Sequence, residues 1–132
     1  MKENADFDSS LAYGQLGEQL LRQVAKSYLE YGEDAVEVKT DNKVSSTGRL
    51  YIEKESRGKP SGISTSKAKY WALVLDGGSY SRQVFVIIET DRLRELCRLS
   101  GKGNVKGGDS DTSRGYLISL PTLLKPLLTM TV

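Results

Sequence analysis

The feature that most restricts how this chain can fold is a change of apolar period between residues 31 and 36. From Ser9 to Tyr31 the apolar residues follow a helical repeat. Leu11, Leu20, Leu21, Val24, Ala25, Tyr28 and Leu29 fill much of one side of the wheel, and Gln15, Gln19, Arg22, Gln23, Lys26 and Glu30 form a polar arc. Glu18 falls beside Leu11, Leu29 and Ala25 on the apolar side, where a carboxylate needs a metal, a Lys or a donor to pair it; the plainer alternative is that it sits at the edge of the stripe and bends to solvent. Ser9 and Ser10 offer N-caps, residues 1–8 are left as a tail, and Gly32 closes the helix. From Ala35 the period becomes two: Val36, Val38 and Thr40 point one way, and Glu37, Lys39 and Asp41 the other.

The same reasoning predicts strands over residues 50–56, 70–75, 84–88 and 116–120. In the first of these Leu50, Ile52 and Lys54 share one face, and Tyr51, Glu53 and Glu55 the other. Residues 35–41 and 50–56 are expected to pair as an antiparallel hairpin across a polar stretch ending at Thr47-Gly48. Residues 57–69 and the Gly-rich 100–114 are expected as loops, Asp76-Gly77-Gly78 as a turn, and 92–99 as a short helix capped by Asp91. A helical turn after Pro121 ends the pattern. At 132 residues the chain is about one domain long, so residues 1–132 are expected to form a single α/β (α+β) domain. Its expected core is a central mixed sheet flanked by helices.

Composition narrows the chemistry. There is no His, which removes imidazole acid/base catalysis, His-paired nucleophiles and His-built metal sites. The single Cys97 can form no internal disulfide and is expected as a buried helix residue. Carboxylates, Lys, Tyr, hydroxyls and an oxygen-bound metal remain. No run approaches a membrane span, and the acidic N-terminus lacks the apolar core of a signal peptide, so a cytoplasmic protein is expected.

Charge is uneven. Residues 1–37 hold three basic residues against eight acidic ones, whereas residues 42–69 hold seven basic against two acidic. A basic stretch inside a nearly neutral chain suits a polyanion, although a solvated hairpin carries similar charge. If the hairpin forms, Asp41, Glu53 and Glu55 project together, and three neighbouring acids need a compensating cation. Oxygen-only ligands of this kind suit Mg²⁺, Mn²⁺ or Ca²⁺, and Mg²⁺ held by one or two carboxylates is the usual arrangement for work on phosphate esters. The literal Glu37-x-Lys39 pair is the less favoured alternative, because Asp34 lies too close in sequence to reach it across a hairpin.

The order of Glu18 on a helix, then Asp41, Glu53 and Glu55 over two strands, resembles the PD-(D/E)xK (restriction-endonuclease-like) nuclease superfamily. The strings GQLGEQ (14–19), VEVKTD (36–41), TGRLYIE (47–53), GKPSGI (58–63), AKYWA (68–72) and GGD (107–109) are similar to those of small phage-type nucleases of that fold. The resemblance implies that Asp41 and Glu53 hold Mg²⁺ or Mn²⁺ and that Glu18 touches the metal or its water. Glu55 stands where Lys is usual, an ExE variant in which it acts as ligand or base, and Lys39 supplies the missing positive charge. DNA hydrolysis to a 5′-phosphate and 3′-hydroxyl is implied, with structure-selective or non-specific endonuclease cutting, and a homodimer would place two sites on two strands. Lys59, Ser61, Thr65 and Lys67 in the Gly/Pro loop are expected to contact backbone phosphates. Tyr13 and Tyr51 lie near the acids in sequence, Trp71 is expected in the core, and Gly107-Gly108-Asp109 as a turn. The Glu55 departure keeps open a non-catalytic nucleic-acid-binding module of the same fold. An interaction protein whose acidic face meets a basic partner is a third reading.

Overall fold

The computed structural model describes residues 2–75 and 83–125; the expected Asp76-Gly77-Gly78 turn lies outside them. Helix α1 (Lys2–Tyr31) stops where expected, at Gly32 with φ +61°, but runs through residues 2–8, so Ser9 and Ser10 are interior positions. A 3₁₀ turn (Gly32–Asp34) leads into β1 (Val36–Asp41), a one-turn helix α2 (Val44–Thr47) and β2 (Arg49–Ser56). Next come the two-residue β3 (Lys59–Pro60), a second 3₁₀ turn (Gly62–Ser64), β4 (Tyr70–Leu75) and β5 (Val84–Glu89). The chain continues through α3 (Thr90–Ser100), β6 (Lys102–Gly107), a third 3₁₀ turn (Asp109–Asp111), β7 (Ser113–Ser119) and α4 (Leu120–Leu124).

Among the described residues the architecture is mixed α+β with two sheets and four α-helices, in place of the one central mixed sheet expected from sequence. One sheet has the order β1-β4-β5, with β1 parallel and β5 antiparallel to β4; the other is antiparallel, β3-β2-β7-β6. The predicted hairpin between β1 and β2 does not form. β1 pairs with β4, Val36 opposite Tyr70, and β2 pairs with β7, Leu50 opposite Ile118. The physical reason is that alternation fixes which face is buried and leaves the neighbour open. Val36 and Val38 pack with Val24, Tyr70 and Ala72 beneath α1. Leu50 and Ile52 instead join Ile63, Trp71, Leu73, Leu93, Cys97 and Ile118 in the main core. With α2 turning the chain between them, the two strands serve different cores.

β4 is buried along almost its whole length because it belongs to both: Tyr70 and Ala72 face α1, and Trp71 and Leu73 face the main core. Trp71 is in the core as expected, at 1% exposed, and so is its neighbour Tyr70, at 6%. Residues 102–107, expected as loop, form an edge strand. Gly107 lets the backbone approach the Tyr51 ring, where a Cβ would come within 2.5 Å of it. Among the described residues no helix is long and apolar enough to cross a membrane.

Candidate functional site

Asp41 closes β1, and its carboxylate joins the two halves of the site. Oδ1 accepts the backbone N–H groups of Lys43 (2.8 Å) and Val44 (3.0 Å), which turns the chain into α2. Oδ2 accepts the N–H of Tyr51 (3.3 Å), which ties the end of β1 to the middle of β2. So Asp41 meets β2 through its side chain, although the two strands lie in different sheets.

Glu53 lies two residues beyond Tyr51 on the same strand face. Its Oε2 accepts the Ser61 hydroxyl at 2.9 Å. Gly62 adopts φ +54°, and a Cβ there would collide with the Glu53 carbonyl oxygen, so only glycine lets the loop press on β2 at this point. The loop is braced from behind by Arg94, whose Nε donates to the Ile63 carbonyl (2.9 Å) and whose second terminal nitrogen donates to the Ser66 carbonyl. Trp71 Nε1 adds a bond to Ser66 Oγ at 3.0 Å.

Tyr51 lies between the two acids. Its ring packs where Cβ atoms on Gly107 and Gly115 would sit, and its hydroxyl is 2.7 Å from Ser113 Oγ. The result is an open cleft of about 510 Å³ in which Lys39, Asp41, Lys43, Tyr51, Glu53 and Lys106 meet above Trp71 and Leu73. Lys39, Lys43 and Lys106 are exposed, and the two acids are half-buried.

Of the residues expected at the site, Asp41, Glu53 and Lys39 are brought together. Glu55 is not. A register shift between Glu53 and Glu55 sets Glu53 opposite Gly115 but Glu55 opposite Arg114, and neighbouring positions on β7 face opposite ways. The bulge thus rotates Glu55 off the face that Glu53 uses. Glu18 is exposed on α1, which covers the far side of the β1-β4-β5 sheet, and Tyr13 is 75% exposed on the same helix. Lys59, Thr65 and Lys67 are exposed and outside the cleft lining, and Ser61 spends its hydroxyl on Glu53.

Lys43, Lys106 and Ser113 were not singled out from sequence. The available signal was the glycine pair Gly107 and Gly115, which makes room for a ring. Gly107 and Gly108 do form a turn entry, Gly108 at φ +71°, but they also line the cleft.

A divalent ion fits this donor set in part. Mg²⁺ is commonly held by one or two carboxylates with water completing its shell. The ion pairs among the described residues, Lys26–Glu30 and Arg94–Asp91, involve neither Asp41 nor Glu53. Three backbone N–H groups occupy the Asp41 carboxylate, leaving about one of its four lone-pair directions. No group of three or more acid, Cys or His side chains converges among the described residues. Among the described residues, two carboxylates and water are what the cleft offers. No family model matches the chain, and neither does a curated protein or a solved structure.

Proposed function

We propose that the cleft is the active site of a Mg²⁺- or Mn²⁺-dependent nuclease that hydrolyses DNA phosphodiester bonds, with the restriction-endonuclease-like descent that the sequence resemblance implies. The observation that carries this reading is the meeting of Asp41, Glu53 and Lys39 in one cleft although their strands lie in separate sheets. Asp41 and Glu53 would hold the ion, and the bound metal would polarise a phosphoryl oxygen and acidify a water. Ser61 fixes the Glu53 carboxylate, Lys39 offsets negative charge at the scissile phosphate, and Lys43 and Lys106 hold the flanking backbone phosphates. Glu55 and Glu18 have no role in this account, since both lie off the cleft.

A second reading, a nucleic-acid-binding module without hydrolysis, is favoured by one specific feature. The three N–H groups on Asp41 give that carboxylate a structural task independent of any metal.

Cleavage of labelled single strand, duplex, flap and four-way junction in Mg²⁺ and Mn²⁺ separates the two. The nuclease reading expects metal-dependent cutting that Glu53→Ala abolishes. Tight, salt-sensitive binding with no cutting by wild type would transfer the assignment to the binding module.

A further inference from the structure

Helix α3 contributes no residue to the cleft lining, yet it holds the segment that orients Glu53. Thr90, buried in its first turn, donates its N–H to the Lys69 carbonyl (2.9 Å) and its hydroxyl to the Ala68 carbonyl (2.6 Å). One turn further along, Arg94 reaches the other end of the same segment. Its Nε donates to the Ile63 carbonyl (2.9 Å) and a terminal nitrogen donates to the Ser66 carbonyl. The remaining terminal nitrogen pairs with Asp91, whose carboxylate is 93% exposed, so that pair contributes little. A guanidinium is a planar fork that serves two carbonyls at once, and a single ammonium does not reproduce it.

We propose that Arg94 is a positioning residue for the divalent-ion site: it fixes the turn over residues 61–66, and through that turn it holds the Ser61 hydroxyl against Glu53. The proposal rests on the reading of Asp41 and Glu53 as that site.

The chain of contacts from α3 to the carboxylate is continuous. The Ser61 N–H donates to the Lys54 carbonyl (3.0 Å) and its hydroxyl to Glu53 Oε2 (2.9 Å), so this one residue meets β2 twice. The turn closes on itself, with Ser64 N–H on the Ser61 carbonyl (3.0 Å) and Ser66 N–H on the Gly62 carbonyl (3.0 Å). It therefore moves as a unit, and Arg94 holds two of its carbonyls. The buried Ile63 side chain also anchors the turn, but apolar contact is not directional and does not fix its rotation. The Trp71 bond falls on the Ser66 side chain, not on the backbone that carries Ser61. Outer partners of metal ligands act in this way, orienting the ligand and changing affinity without touching the ion.

The test is Mn²⁺ binding by the full-length chain, with free ion followed by electron paramagnetic resonance. Wild type is compared with Arg94→Ala, Arg94→Lys, Ser61→Ala and the Arg94→Ala/Ser61→Ala double variant, and urea midpoints are measured without metal. Val24→Ala, which opens a cavity beneath α1, is the control for lost stability alone. Arg94→Ala should bind Mn²⁺ about fivefold or more weakly than wild type, with Arg94→Lys between them. Val24→Ala should bind as wild type does. In the Ser61→Ala background Arg94→Ala should weaken binding no further, because the hydroxyl it positions is gone. Wild-type affinity in Arg94→Ala, independent effects of the two substitutions, or an equal weakening in Val24→Ala would each overturn the proposal. Should Arg94→Ala not fold, Arg94→Lys takes its place in every comparison. A wild type that binds no Mn²⁺ removes the ion site itself, and the metal-free urea midpoints then decide. Coupled losses from the Arg94 and Ser61 substitutions would sustain Arg94 as the group that positions Ser61, and additive losses would overturn it.

Discussion

The Ser61 hydroxyl donates to Glu53 Oε2 across 2.9 Å, so one of the two acids lining the cleft is oriented by a loop eight residues further along the chain. Hydrogen bonds to charged groups contribute about 1.5–3 kcal/mol when well formed, and less where the pair is partly exposed. Ser61→Ala should lower stability by about 1 kcal/mol, read from the urea midpoint. It should slow metal-dependent cleavage by roughly tenfold, because an unheld carboxylate samples unproductive rotamers. A stability loss with the cleavage rate unchanged would confine Ser61 to folding.

Asp41 carries two tasks that two substitutions can separate. Asp41→Asn keeps one carbonyl oxygen as an acceptor for the backbone N–H groups and removes the charge; Asp41→Ala removes every acceptor. Asp41→Asn should lose metal binding while losing no more than about 1 kcal/mol of stability, and Asp41→Ala should lose about 2–3 kcal/mol, since the part-buried N–H groups of Val44 and Tyr51 are left unpaired. Chemical denaturation of both variants beside a divalent-ion titration checks this.

The contact of Tyr51 with Gly107 and Gly115 predicts strong coupling. Gly107→Ala should be destabilised by more than about 2 kcal/mol, because its Cβ would enter the Tyr51 ring. Combining it with Tyr51→Ala should cost about 1 kcal/mol or more less than the sum of the two single changes, because the truncated side chain vacates the space. A double-mutant cycle measures this directly, and additive effects would count against the contact.

These contacts also mark how far the sequence was legible. The helix of α1, its stop at Gly32 and the in/out faces of β1 and of β2 as far as Glu53 follow from local pattern, although of the apolar stripe expected on α1 over residues 9–31 only Val24 is buried. What pattern does not encode is which strand lies alongside. Val36 and Leu50 each alternate correctly yet serve different cores, so the predicted hairpin was replaced by two sheets. Asp41 and Glu53 still meet, because the Asp41 side chain spans the gap to the Tyr51 N–H. Glu55 illustrates the opposite case. One bulged residue between it and Glu53 undoes the same-face inference, and nothing in the local sequence announces the bulge. β6 carries no strand signature because it is built of Gly, Lys and Asn around one Val; of its glycines, Gly107 sits where the Tyr51 ring leaves no room for a Cβ.

Cys97 is 1% exposed in the main core, and burial pushes its thiol from 9.0 up to about 12. In the unfolded chain the thiol ionises from about pH 9, whereas the folded chain holds its proton until about pH 12. Above pH 9 the unfolded state therefore binds fewer protons, and stability falls as pH rises through that window. The loss with pH should be shallower in Cys97→Ala, compared by urea unfolding at pH 8 and pH 10. In the native wild type, a thiol reagent at neutral pH should label Cys97 only as fast as the chain opens.

Lys39, Lys43 and Lys106 surround the two acids, and each phosphate contact contributes to the salt dependence of binding. Lys106→Ala should weaken binding to duplexes of different sequence about equally and reduce the slope of log affinity against log salt by about one. Fluorescence anisotropy across a salt series gives the slope. An unchanged slope would remove Lys106 from the path of the nucleic acid.

The central claim is that Asp41 and Glu53 together make one divalent-ion site, and Mn²⁺ binding tests it most directly, with free ion followed by electron paramagnetic resonance in wild type and Glu53→Gln. Wild type should bind one ion per chain, and Glu53→Gln, which keeps the side-chain shape and loses the charge, should bind at least tenfold more weakly. Equal binding by the two proteins, or none by wild type at millimolar ion, would contradict the site and with it the nuclease assignment.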